Sequence, residues 1–183
     1  MMARVPYLNV EDLPEADKAL LKRPINLHRA LAHSPDGARA FGGLGGWIRY
    51  GAKLDPRLRE LAILQVGWVA KSPYEWSHHV KIGKDFGVSD ADIEALKLES
   101  AGEASALEPL ARLVLKGARE MADDGAMSAD TYAALAQSLD HERMVELIIV
   151  IAFYCGVVRA LGSLGIDVEA SYQPYLDEHP LRD

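Results

Sequence analysis

Residues 54–79 read LDPRLRELAILQVGWVAKSPYEWSHH, and the punctuation of this stretch decides the fold. Asp55-Pro56 and Ser72-Pro73 each put an N-cap residue before a proline at the first helical position, where the missing N–H costs nothing. From Leu61 to Ala70 only Gln65 has a side chain that is neither apolar nor absent. Ala70 therefore ends one buried helix and Pro73 begins the next, which makes a helical hairpin.

The same signals recur outward. Ser34-Pro35, Ser89 with Asp92, Ser128 with Asp130, and Asp140 all read as helix starts, while Gly87 and Gly165 sit where C-cap glycines belong. They predict helices over about 14–22, 26–33, 35–51, 56–70, 73–86, 90–98, 106–123, 129–138 and 141–163. No segment alternates apolar and polar residues as a half-buried strand does. The expectation is an all-α chain forming a single domain over 1–183, because the one plausible linker, ESAGEAS at 99–105, is too short to separate two domains. Leu54–Leu61 is echoed by Leu139–Leu147 with one residue inserted, so a duplicated helical unit and chance likeness of two capped helices both stand.

Composition narrows the function. Twenty Lys and Arg against 27 Asp and Glu give a net charge of −7, unsuited to a nucleic-acid surface. The lone cysteine, Cys155, excludes an internal disulfide and any CxxC motif, and it lies in an apolar run as an inert core residue would. That run, Leu147 to Val158, is shorter than the roughly twenty residues a membrane span needs and reads as a helix buried on all sides. Met1 to Asn9 contains no secretory apolar stretch. The expected setting is soluble and cytoplasmic.

The residues able to do chemistry crowd into the hairpin. Glu75 and His79 are four apart and share a helix face, as a general acid–base unit requires. Ser72-x-x-Glu75 is also a capping box, and sequence chemistry alone favours that role for Glu75. His78 points about 100° away from His79, on the side expected to be more solvated. Glu60, fifth in its helix, is either a surface partner of Arg57 or a carboxylate whose pKa burial raises. Glu60 lies roughly 15 Å before the joint and His79 roughly 9 Å beyond it, a mismatch of about one turn that oblique helices can span. Three further features point elsewhere. Glu75-x-x-His78 has no second copy, so no di-iron site is expected. Gly42-Gly43-Leu44-Gly45-Gly46 lacks phosphate-loop spacing and suggests close helix packing. Residues 39–60 hold Arg39, Arg49, Lys53, Arg57 and Arg59 against Asp55 and Glu60, enough positive charge to anchor a substrate carboxylate, or simply a solvated charged face.

Leu54–Leu64, then Tyr74-Glu75-Trp76 with His79, then Gly87-Val88 and Ile93, resemble the carboxymuconolactone decarboxylase family, within the alkylhydroperoxidase D-like superfamily. The resemblance runs from about 26 to 172, leaving 1–25 and 173–183 as arms. It implies a bundle of helical hairpins, a homo-oligomer, and sites near subunit contacts. Peroxidatic members carry Cys-x-x-Cys-x-x-x-His after an upstream glutamate. Aligned on His79, this chain has Ser72 and Glu75 in place of the cysteines and keeps Glu60 as the glutamate. The resemblance thus implies the branch without the cysteine pair: a carboxy-lyase acting on a small carboxylate or lactone, with no metal and no organic cofactor. His79 would donate or shuttle the proton, Glu60 would be its partner and Glu75 its orienter, while Tyr74 and Trp76 would line a pocket for a flat ligand. An alkylhydroperoxidase-like protein without thiol chemistry and a non-catalytic oligomeric binding protein are the alternatives.

Overall fold

The structure, a computed structural model, describes residues 3–181. Met1, Met2, Arg182 and Asp183 lie outside the described residues, so the expectations for the two chain ends apply there only from Ala3 and up to Leu181. The described residues form α1 (Asn26–Leu31), α2 (Pro35–Tyr50), α3 (Pro56–Val69), α4 (Pro73–Asp85), α5 (Asp90–Ser100), α6 (Pro109–Asp123), α7 (Ala129–Leu135), α8 (His141–Leu164) and α9 (Gln173–Glu178), with no strand among them. The segment expected as a helix over 14–22 is instead a 3-10 helix, Glu15–Leu21, and α9 went unpredicted.

The caps explain why the elements begin where they do. Asp55 accepts the Leu58 N–H, Ser128 that of Thr131 and Asp140 that of Arg143, while Ser89 and Asp92 close a reciprocal capping box. Each such cap contributes about 1 kcal/mol. Ser34 makes no side-chain cap bond, so α2 starts on its proline alone. Gly165, at φ 64°, closes α8 in the left-handed conformation that glycine adopts without strain.

Helix α3 is the axis of the molecule. It packs against α4, α6 and α8, and Leu61, Ala62, Ile63, Leu64 and Val66 are wholly buried. A Cβ on Gly67 would sit 3.4 Å from the Trp76 nitrogen, and one on Gly83 would sit 3.6 Å from the Glu60 Cβ. These two glycines let α3 and α4 approach closely at the level of the acidic residues. The echo between 54–61 and 139–147 corresponds to the capped starts of α3 and α8, which pack together. The echoed glutamate has a different task, since Glu146 accepts the N–H groups of Lys53 and Leu54.

Two packing expectations are corrected. Helix α8 is not buried on all sides: Val145 is 55% exposed, and Ala152 and Gly156 are exposed too. Its other face, with Leu147, Val150 and Ile151, is buried toward α3 and α6. By length and composition α8 is the one helix among the described residues able to cross a membrane. The glycines of α2 do not seat a neighbouring helix either. A Cβ at 42, 43 or 46 would meet nothing within 4 Å, and one at 45 would meet only the Phe153 ring, at 3.8 Å.

The C-terminal arm is fastened to α4 and α5. The Trp76 indole N–H donates to the His179 carbonyl at 2.6 Å, and the His179 ring lies between Asp90 at 2.9 Å and Glu94 at 3.1 Å. Asp90, Glu178 and His179 also cluster as metal ligands might, but the Lys84 ammonium already bridges Asp90 at 2.6 Å and Glu178 at 3.1 Å.

Candidate active site

The α3–α4 hairpin sets four ionisable side chains in a row. Buried Arg59 holds Glu60 Oε1 at 2.9 Å, Glu60 Oε2 lies 2.7 Å from His79 Nδ1, and His79 Nε2 lies 3.1 Å from Glu75 Oε1. The oblique approach anticipated for Glu60 and His79 is thus present. Glu60 is not a surface partner of Arg57, which instead pairs with Asp92 at 2.5 Å and Glu108 at 2.7 Å. Nor is its pKa raised. Burial pushes it up, but His79 and the Arg59 guanidinium together outweigh burial and hold the carboxyl below its usual range.

Glu75 behaves oppositely. Only half of its capping box forms: Ser72 Oγ accepts the Glu75 N–H at 3.5 Å, while the Ser72 N–H donates to the Gly67 carbonyl. The freed carboxyl turns toward His79. Burial and the nearby Glu60 charge raise its pKa to about 7, against the pull of His79 and Arg49. Oε1 is buried with no aligned hydrogen-bond partner. Near neutral pH this is a carboxylic acid able to hold or release a proton.

Glu75 and His79 line a cavity of about 300 Å³. Its walls come from α1, α2, α4, α8 and the loop before α1. Tyr154 stands edge-on to His79, centroids 4.9 Å apart, and Phe153 stacks obliquely on Phe41 at 4.8 Å. Tyr74 lines the cavity as expected, its hydroxyl donating to Glu169 at 3.0 Å and accepting the Leu27 N–H at 3.2 Å. Trp76 does not. It is wholly buried on the opposite side of α4, against Trp68 and the C-terminal arm, so its expected pocket role is corrected.

His78 also differs from expectation. Instead of facing solvent it is 3% exposed, stacked between Tyr74 (4.1 Å) and Tyr172 (3.6 Å), with Nε2 2.7 Å from Glu169. The cause is the chain returning over that side of α4 some ninety residues later, which no local pattern announces. Burial lowers the His78 pKa against the opposing pull of Glu169. Sequence reasoning missed Glu169, Tyr172, Phe153 and Tyr154 for the same reason.

The five cations of residues 39–60 can now be separated. Arg39 pairs with Asp17 and Asp36, Lys53 with Glu142, Arg57 with Asp92 and Glu108, and Arg59 with Glu60. Among the described residues the Arg49 guanidinium has no carboxylate partner, and Arg49 lines the cavity. The sequence contained the signal, a surplus of arginines over acids, but not the means to choose.

Comparison with known proteins gives a family match over part of the chain, and a fold. Residues 35–116 match the carboxymuconolactone decarboxylase family. The structure resembles the debrominase Bmp8 in complex with 2,3,4-tribromopyrrole, with a TM-score of 0.82, 22% identity, and coverage of 97% of this chain and 98% of that one. It also resembles an uncharacterized peroxidase-related protein with an alkylhydroperoxidase AhpD core from Ralstonia eutropha JMP134, with a TM-score of 0.80, 17% identity and 95% of each chain covered. A peroxidase-related protein from Silicibacter sp. TM1040 matches with a TM-score of 0.70 at 16% identity, over 86% of this chain and 83% of that one. No protein of curated function matches the sequence.

Proposed function

We propose, from the match of residues 35–116 to the carboxymuconolactone decarboxylase family and from the shared fold, that the chain is an enzyme of that family performing cofactor-free acid–base chemistry on a small carboxylate or lactone. Decarboxylation of an unsaturated lactone acid is the reaction that suits the site. The observation that carries this reading is Glu75: a buried carboxyl held near neutrality, facing a cavity, and backed by His79 and Glu60.

The proposed steps are these. The substrate's C–CO₂⁻ bond breaks, CO₂ leaves, and the electron pair passes into the adjacent unsaturated system. Glu75 in its acid form delivers a proton to carbon. His79, 3.1 Å away, returns a proton to Glu75, and Glu60 holds the other ring nitrogen in place. One proton from water is consumed per turnover. In this reading Glu75, and not His79 as the sequence suggested, delivers the proton, because its carboxyl lines the cavity with its pKa raised to about 7.

A thiol peroxidase cycle finds less support. Such a cycle needs an attacking thiolate and a resolving thiol. The single cysteine, Cys155, is buried, and burial pushes its thiol pKa up. The same lone cysteine suits a reducing, cytoplasmic setting. Assembly into a homo-oligomer is part of the proposal: Leu44, Trp47 and Tyr50 on α2 and Val145 on α8 are exposed apolar side chains.

The test is substrate depletion and CO₂ release with unsaturated lactone acids, using wild type and Glu75→Gln. Turnover by wild type and its loss in the variant is the expected result. If a panel of such acids is left untouched, the protein is a binding module and its acidic row is structural.

A further inference from the structure

Helix α2 carries Gly42, Gly43, Gly45 and Gly46 in its interior, where each glycine is less favourable than alanine. Packing within the chain does not explain them, since a Cβ at 42, 43 or 46 would meet nothing and one at 45 only an ordinary ring contact. Three of the four, Gly42, Gly45 and Gly46, line the cavity that Glu75 faces, and Gly43 does not. Arg49 follows Gly42, Gly45 and Gly46 by seven, four and three residues, which puts it on their face of the helix. A second observation points to a missing ligand: the buried Glu75 side chain lines the same cavity, and its Oε1 has no aligned hydrogen-bond partner.

We propose that this face of α2 is the ligand-reading surface of the site, with the glycine backbone as a flat floor for an unsaturated ring and the Arg49 guanidinium as the clamp on that ring's carboxylate. A planar guanidinium presents two parallel N–H groups to a carboxylate, and Arg49 has no carboxylate of its own to satisfy it. Bare backbone at 42, 45 and 46 lets a flat group lie closer to the helix than any side chain would allow. Phe153 and Tyr154 supply aromatic surface on the α8 side. The ligand class is a one-ring, flat, unsaturated carboxylate, in keeping with about 300 Å³ of space. This rests on the site being the one assigned above, but it concerns recognition and not proton transfer.

The experiment is calorimetric titration with benzoate, which has no reaction to undergo here, and with benzamide as its neutral counterpart, alongside thermal unfolding. Wild type should bind benzoate and discriminate against benzamide. Arg49→Gln should weaken benzoate about tenfold to a hundredfold and abolish the discrimination, and Arg49→Lys should recover part of it. The Gly45→Ala/Gly46→Ala variant should melt higher, by about 2–4 °C per residue, yet bind benzoate about tenfold more weakly. Gly43→Ala, off the cavity face, should melt higher and bind as wild type does. Wild type that ignores benzoate at millimolar concentration, or folded Arg49→Gln or alanine variants that bind it within twofold of wild type, would overturn the proposal. Benzoate binding as described with no turnover of lactone acids would retain this assignment and sink the acid–base one.

Discussion

Replacing Glu75 by glutamine should change how stability depends on pH, in a direction the site dictates. The Glu75 carboxyl is fully buried and its pKa is raised from 4.5 to about 7. Below pH 4.5 both folded and unfolded chains hold its proton, and the residue adds no pH dependence. Between 4.5 and about 7 the unfolded chain releases the proton while the folded chain keeps it, so stability falls as pH rises, by about 1.4 kcal/mol per pH unit. Above about 7 both are ionised and the loss levels off near 3 kcal/mol. Glutamine keeps the shape and cannot ionise. Urea unfolding of wild type and Glu75→Gln from pH 5 to pH 9 should therefore show the variant gaining on wild type by about 2–3 kcal/mol between pH 5 and pH 8, then no further. Titrating groups common to both chains cancel in this difference, apart from those coupled to Glu75: His79, Glu60, Arg49, Tyr74 and Tyr154. A difference that stays flat over this range would mean that Glu75 ionises as a solvated carboxyl does. A difference of opposite sign would mean that a group other than Glu75 sets the pH dependence. Either result removes the acid from the mechanism.

Glu60→Gln and His79→Asn should each abolish most turnover, and the double variant should be little worse than either single one, as for residues acting as a unit. Their stabilities should differ. Glu60 neutralises a guanidinium that is only 2% exposed, so Glu60→Gln should cost about 3–5 kcal/mol in urea unfolding. A Glu60→Gln protein as stable as wild type would show that Arg59 does not depend on the pair. Cys155→Ala should leave steady-state turnover unchanged, and a large loss in a folded variant would restore a thiol role. Sedimentation at micromolar concentration should find a homo-oligomer, and a monomer would leave the exposed apolar residues of α2 and α8 without a partner.

What was legible in the sequence was local. Asp55-Pro56 and Ser72-Pro73 gave both helices of the hairpin, because a cap and a proline act within one turn of where they stand. The closeness of Glu60 and His79 followed from helical rise and a short joint, and the 2.7 Å contact agrees with it. What was illegible depended on distant chain. His78 was assigned to solvent because nothing near it in sequence says that Tyr172 and Glu169 return to cover it. The sequence offers Trp76 as an aromatic wall for a flat ligand, yet the His179 carbonyl claims its indole. The glycines of α2 were read as a packing seat, the usual reason for small residues in helices. Only the empty space around them shows that no part of this chain sits there.

Where the parts of the site lie along the chain has an evolutionary consequence. The proton-handling groups all lie on one contiguous hairpin at the molecule's centre, whose α3 packs against α4, α5, α6 and α8. The surface that would choose a substrate lies elsewhere, on the peripheral helix α2. Substitutions in α2 can therefore alter what enters the cavity without moving Glu60, His79 or Glu75. A fold divided in this way can keep one chemical apparatus while its specificity drifts, so relatives sharing the hairpin need not share a substrate.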